Sequence, residues 1–102
     1  MVLAEEPYAE GAGDLPDLNW PSSRSATLTR VQSWREQEIP VTTILLSGRP
    51  LWINPEINQS DAMVAAWLPG TEAQGIADVI LTESDGAAQF DFVGTLPFAW
   101  PG

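Results

Sequence analysis

A chain of 102 residues that is 44 % hydrophobic, five Trp included, has the length and apolar content for one globular core and too much of the latter for disorder. Its net charge of −10, from fourteen carboxylates against four Arg and no Lys, repels phosphate backbones and anionic bilayers alike, so neither a nucleic acid nor a membrane is an expected partner. With no Cys and no His there are no disulfides, no thiolate or Ser-His-Asp nucleophile and no imidazole or thiolate metal site, which leaves acid–base chemistry to Asp, Glu or Tyr.

Residues 1–4 read as the end of a buried strand, stopped by Pro7, which lacks an amide donor and pushes Glu6 toward an extended conformation. The same opening has neither the basic start nor the apolar length of a signal peptide, so no export signal is expected within the chain, and the compartment is left open. A loop rich in Gly and Pro occupies residues 8–21. Ser22 or Ser23 can cap a helix that runs to about Gln37, with Leu28, Val31 and Trp34 on its apolar side and Arg24, Arg30, Arg35 and Glu36 on its wet side.

Pro40 precedes residues 41–47, a β-branched and aliphatic run with little alternation, which fits a strand covered on both faces in a parallel sheet. Ser47, Gly48, Arg49 and Pro50 end it with turn chemistry. Arg49 is expected to order that turn or to pair with a carboxylate such as Glu72 or Asp61. A short helix or irregular piece lies around residues 55–59. Residues 62–68 suit either period and read as a strand, because Pro69 and Gly70 stop them and a clearer helix starts directly after. Thr71 and Gln74 form a capping box there, with Ile76, Val79 and Ile80 on the apolar face to about Leu81. Residues 83–88 are an acidic, flexible turn, and residues 89–93 and 96–100 read as two short terminal strands around Gly94.

The predicted class is α/β: a three-layer sandwich fragment with a mainly parallel sheet flanked by helices. The longest apolar runs fall far short of the roughly 20 residues that span a bilayer. Gly11 and Gly13 after a strand have the look of a dinucleotide loop, but Pro16 stands where the third glycine belongs and no helix begins there. Glu83, Asp85 and Asp91 lack the spacing of a calcium loop. No metal and no cofactor are expected.

Longer segments are more specific. Leu46-Ser47-Gly48-Arg49-Pro50-Leu51-Trp52-Ile53, then Asp61-Ala62-Met63-Val64-Ala65-Ala66-Trp67-Leu68-Pro69-Gly70-Thr71-Glu72, with Gly75-Ile76-Ala77-Asp78-Val79, resemble the second, sandwich domain of glycoside hydrolase family 3. The ending Gly94-Thr95-Leu96-Pro97-Phe98-Ala99-Trp100-Pro101 resembles that family's final strand, with Thr95 in place of its usual lysine, and Glu5-Glu6-Pro7-Tyr8-Ala9-Glu10-Gly11-Ala12-Gly13-Asp14 resembles the active-site loop of its exo-glucanase branch. The resemblance covers nearly the whole chain, in order.

It implies retaining hydrolysis of β-linked glucosides, with glucose released from a non-reducing end. In that family a barrel domain supplies a nucleophilic Asp and the second domain a general acid/base Glu, which by its place in the loop is Glu10 here. The two carboxyls of a retaining enzyme stand about 5–5.5 Å apart across the sugar. Tyr8 and Trp20 are the candidate substrate contacts, and Asp14 with Tyr8 could hold the loop. Trp34, Trp52, Trp67 and Trp100 are expected in the core or an interface. Glu5 and Glu6 are expected to bond locally or to face solvent.

The resemblance also sets an expectation of what residues 1–102 lack: the barrel, its nucleophile and several upstream strands of the sandwich. Little or no glycosidase activity is then expected of the chain alone, because such groups act as a unit. Two further readings stand beside this one. The chain is a self-associating interaction module without catalysis, or one half of a split enzyme completed by a separate barrel chain.

Overall fold

A computed structural model describes residues 1–7, 11, 13–20 and 24–102, with the side chains of Arg24 and Ser25 outside that description. Along the chain run β1 (Val2–Ala4), α1 (Arg24–Glu36), β2 (Thr42–Leu46), α2 (Asn54–Asn58), β3 (Ala62–Ala65) and α3 (Gln74–Ile80). The strands form one parallel sheet in the order β1-β2-β3, with Val2 beside Ile44 and Thr42 beside Ala62. The fold is the α/β class expected, and the run at 41–47 is its central strand. Val41, Thr43, Leu45 and Ser47 are buried on one face, while Thr42, Ile44 and Leu46 are half-buried on the other. That double cover is why the sequence there does not alternate.

The chain divides into two compact units, Met1–Trp67 with Trp100–Gly102, and Leu68–Ala99. In the first, Leu3, Leu45, Leu51 and Ile53 form the core, with Met1, Trp20, Ile57, Met63 and Trp100 packed against it. Trp100 ties the end of the chain back: its indole N–H donates to the Leu51 carbonyl at 2.9 Å, and its ring tilts onto Trp67 with centroids 5.9 Å apart. Helix α1 places Val31 in the interior and half-buries Leu28 and Trp34, while Arg30, Arg35 and Glu36 stay wet, as its spacing predicts. Helix α2 carries Pro55 in its first turn, where the missing N–H loses nothing because that position has no intrahelical acceptor. Strand β3 is shorter than the expected 62–68, since Trp67 takes a left-handed φ of 54° that ends the extended run.

In the second unit the capping box does not form. Helix α3 begins at Gln74 with Ala73 at its N-cap, and no side chain caps it. A turn closed by Glu72 N–H on the Pro69 carbonyl takes up Thr71 and Glu72 instead, and the Gln74 amide donates forward to Asp78 at 2.9 Å. Residues 82–88 are a hydrogen-bonded turn: Thr82 bridges Ala88, Glu83 N–H meets the Ala87 carbonyl at 2.8 Å, and Gly86 supplies a φ of 84°. The two terminal strands are absent over residues 89–100. Gly94 and Pro97 are poor ladder residues, and Phe90, Phe92, Val93, Leu96 and Phe98 stay exposed.

Candidate functional site

The three strands are parallel, so their carboxyl ends lie along one edge, the edge from which open α/β sheets present ligand-binding loops. Glu5 follows β1 there, Ser47 follows β2, and the Ser47 N–H donates to the Trp67 carbonyl at 3.1 Å just beyond β3. The loop that leaves β1 at this edge contains Glu10 and returns to α1. Glu10 and Tyr8 lie outside the described residues. Trp20 is half-buried against the core cluster, so its ring serves packing at least in part.

Both feet of the loop are tied to the segment after β2. At the first, the Glu5 N–H donates to the Leu46 carbonyl at 2.9 Å, continuing the β1–β2 ladder by one residue. The Glu5 carboxylate then turns onto Arg49: Nε donates to Oε1 at 2.7 Å, and Nη2 reaches the same oxygen. Ser47 Oγ donates to the other oxygen, Oε2, and accepts the Arg49 N–H at 3.1 Å. At the second foot, Arg49 Nη1 donates to the Asp17 carbonyl at 3.1 Å, and the Trp52 N–H donates to the Leu18 carbonyl at 2.7 Å. Asn19 forms a single parallel bridge to Trp52.

Inside the loop, Gly11 has a φ of 84°, a conformation that suits a residue without Cβ. Its N–H donates to Asp14 Oδ2 at 3.2 Å, and the Asp14 N–H donates back to the Gly11 carbonyl at 3.0 Å. Asp14 therefore holds the residue directly after Glu10, the role the loop motif suggests for it.

The Glu5 side chain is 2 % exposed and that of Arg49 14 %, so this ion pair is largely out of water. That overturns one expectation, since Glu5 is neither local in its bonding nor solvent-facing. Arg49 orders its turn through Ser47 and pairs with a carboxylate, as expected, and the partner is Glu5 where Glu72 and Asp61 were the examples. Asp61 instead accepts the Val41 N–H at 2.7 Å, joining the starts of β2 and β3. The pairing had a signal in the sequence: two parallel strands whose ends are level put the residue after the first strand beside the turn after the second. Only the strand alignment, Ala4 beside Leu46, was missing. Among the described residues no group of three or more carboxylates gathers as a metal site requires.

A parallel sheet with loops gathered at its carboxyl edge defines an α/β domain of the open-sheet kind. The chain belongs to the glycosyl hydrolase family 3 C-terminal domain family, whose model matches residues 1–102. It is similar to a periplasmic β-glucosidase of Salmonella typhimurium, 29 % identical over 102 residues, which cover 99 % of this chain and 12 % of that protein. Two crystal structures of an exo-1,3/1,4-β-glucanase from a Pseudoalteromonas species also resemble it. A point mutant matches 98 % of this chain at 52 % identity and a TM-score of 0.87, over 16 % of its own chain. The second structure gives the same identity and TM-score over 12 % of its chain. The 102 residues thus span under a fifth of each of these relatives.

Proposed function

We propose that this chain supplies the general acid/base of a retaining β-glucoside hydrolase, through Glu10, and is inactive until joined to a barrel that brings the nucleophile and the sugar pocket. The observation that carries the reading is the double anchoring of the loop around Glu10 at the carboxyl edge of the sheet. A catalytic carboxyl that reaches across to another domain needs a loop whose ends do not wander, since small misplacements of such groups are costly in rate. Family membership and the 52 % identity to an exo-glucanase support the chemistry. In the proposed mechanism the barrel's Asp attacks the anomeric carbon while Glu10 protonates the departing oxygen; Glu10, now a carboxylate, then deprotonates the water that releases the sugar.

The test uses a hybrid in which residues 1–102 replace the matching segment of the related exo-glucanase. Glu10→Gln should slow release of a poor, alkoxide-like leaving group about 10²–10⁴-fold, while an aryl glucoside with a strongly acidic phenol should lose far less. Equal losses on both substrates would remove Glu10 as the acid. Turnover of the aryl glucoside by the 102-residue chain alone, abolished by Glu10→Ala, would overturn the need for a barrel.

A second reading, self-association without catalysis, is favoured by the apolar side chains left in water. Val2 on β1 is 59 % exposed, and in the other unit Val93 is 90 % exposed.

A further inference from the structure

We infer that Arg49 is the positioning residue of the Glu10 loop, holding its two ends at once; this rests on the reading of Glu10 as the acid/base. One guanidinium reaches the carboxylate of Glu5, where the loop departs, and the carbonyl of Asp17, where it returns. The two ends, Glu5 and Asp17, are thus set by one planar group. A guanidinium does this because its donors diverge in a rigid plane: Nε and Nη2 face Glu5 while Nη1 points toward the other foot. An ammonium has no such geometry. It can meet Glu5 or Asp17, but not both from a fixed position.

Three features make the clamp stiffer than an ordinary surface pair. The Glu5 side chain is almost wholly buried, so its attraction to Arg49 is little screened. Ser47 occupies the second carboxylate oxygen and receives the Arg49 N–H, which fixes both partners against the end of β2. The Trp52–Leu18 hydrogen bond holds the returning foot to the same short segment, so residues 47–52 act as a single bracket. Neither Arg49 nor Glu5 has to touch substrate for this. Their effect on the reaction passes through the placement of Glu10.

Two measurements on Arg49→Lys, with Glu5→Gln as the second variant, test the clamp. In the hybrid enzyme, Arg49→Lys should cut kcat/KM for the poor leaving group at least about tenfold, with the strongly acidic phenol nearly unaffected, because kcat/KM reports cleavage of the glycosidic bond and only the former needs a well-placed proton there. A loss of folded protein would lower both substrates together, and that result, or no loss on either, would overturn the inference.

On the intact 102-residue chain, amide exchange at Asp14, Asn19 and Trp52 should speed up at least about tenfold in Arg49→Lys, while Ile44 in β2 stays unchanged. Unaltered exchange at those amides would overturn the clamp even if Glu10→Gln behaves as an acid variant should. If Glu10→Gln fails to separate the substrates but exchange at the loop's feet still responds to Arg49→Lys, the clamp stands and the assignment of Glu10 falls.

Discussion

Thr43 is fully buried on the central strand, and its hydroxyl lies 2.6 Å from Ser60 Oγ. Ser60 Oγ already donates its one proton to the Glu56 carbonyl at 2.8 Å, so the proton between the two hydroxyls belongs to Thr43. The relay Thr43 to Ser60 to the Glu56 carbonyl thus ties β2 to the end of α2 through a buried and a half-buried hydroxyl. Thr43→Val keeps the shape and removes only the donor, leaving Ser60 bound to Glu56. The expected cost is about 1 kcal/mol, the ordinary net worth of one hydrogen bond, which for a chain of this size lowers Tm by roughly 4–8 °C. Thermal unfolding of the two proteins decides it. An unchanged Tm would mean the hydroxyl pair contributes nothing beyond its packing.

At the scale of elements, the end of α1 shows a device the sequence concealed. The Ile39 N–H donates to the Trp34 carbonyl at 3.0 Å and the Glu38 N–H to the Arg35 carbonyl at 2.9 Å, the paired bonds of a Schellman cap. The left-handed position of that motif belongs to Glu38, with a φ of 58°, where glycine is the usual occupant. Holding a side chain there costs about 1–2 kcal/mol. Glu38→Gly should therefore stabilise the chain by up to about 1 kcal/mol, net of the greater freedom glycine gains when unfolded. Glu38→Gln removes the same charge without relieving the backbone, so a rise in denaturation midpoint for Gly alone assigns the gain to conformation.

Most other elements were legible for plain reasons. The apolar spacing of Leu28, Val31 and Trp34 and the unalternating run at 41–47 are signals that tertiary context only reinforces. What the sequence could not reveal depends on neighbours. Thr71 and Gln74 fit a capping box equally well whether or not the chain turns at Pro69, and residues 89–100 have strand-like composition yet join no ladder. The candidate site divides in the same way. Glu10, Tyr8 and Asp14 could be named from a motif, whereas Glu5 and Arg49 meet only once β1 and β2 are aligned.

For the molecule as a whole, the exposed apolar side chains and the charge of −10 pull in opposite directions. Among the described residues β1 pairs with β2 alone, so one side of it keeps unpaired backbone groups, and Val2 beside that edge is open to water. Such an edge is a template for another strand, and exposed aromatics such as Phe90 and Phe98 favour a covering surface. Fourteen carboxylates against four Arg oppose the approach of a second identical chain, over a range that salt shortens to about 8 Å at physiological ionic strength. If the open surfaces are covered by another copy, the mass in sedimentation velocity should rise above 11.1 kDa with protein concentration, and rise further as salt is added. If a barrel-bearing chain covers them, mixing with the remainder of the related exo-glucanase should move the 11.1 kDa species into a one-to-one complex, even at low salt where self-repulsion is greatest. A chain that stays at 11.1 kDa in both experiments would rule out self-association and completion in trans together. It would leave covalent continuity with a barrel as the route by which Glu10 meets a nucleophile.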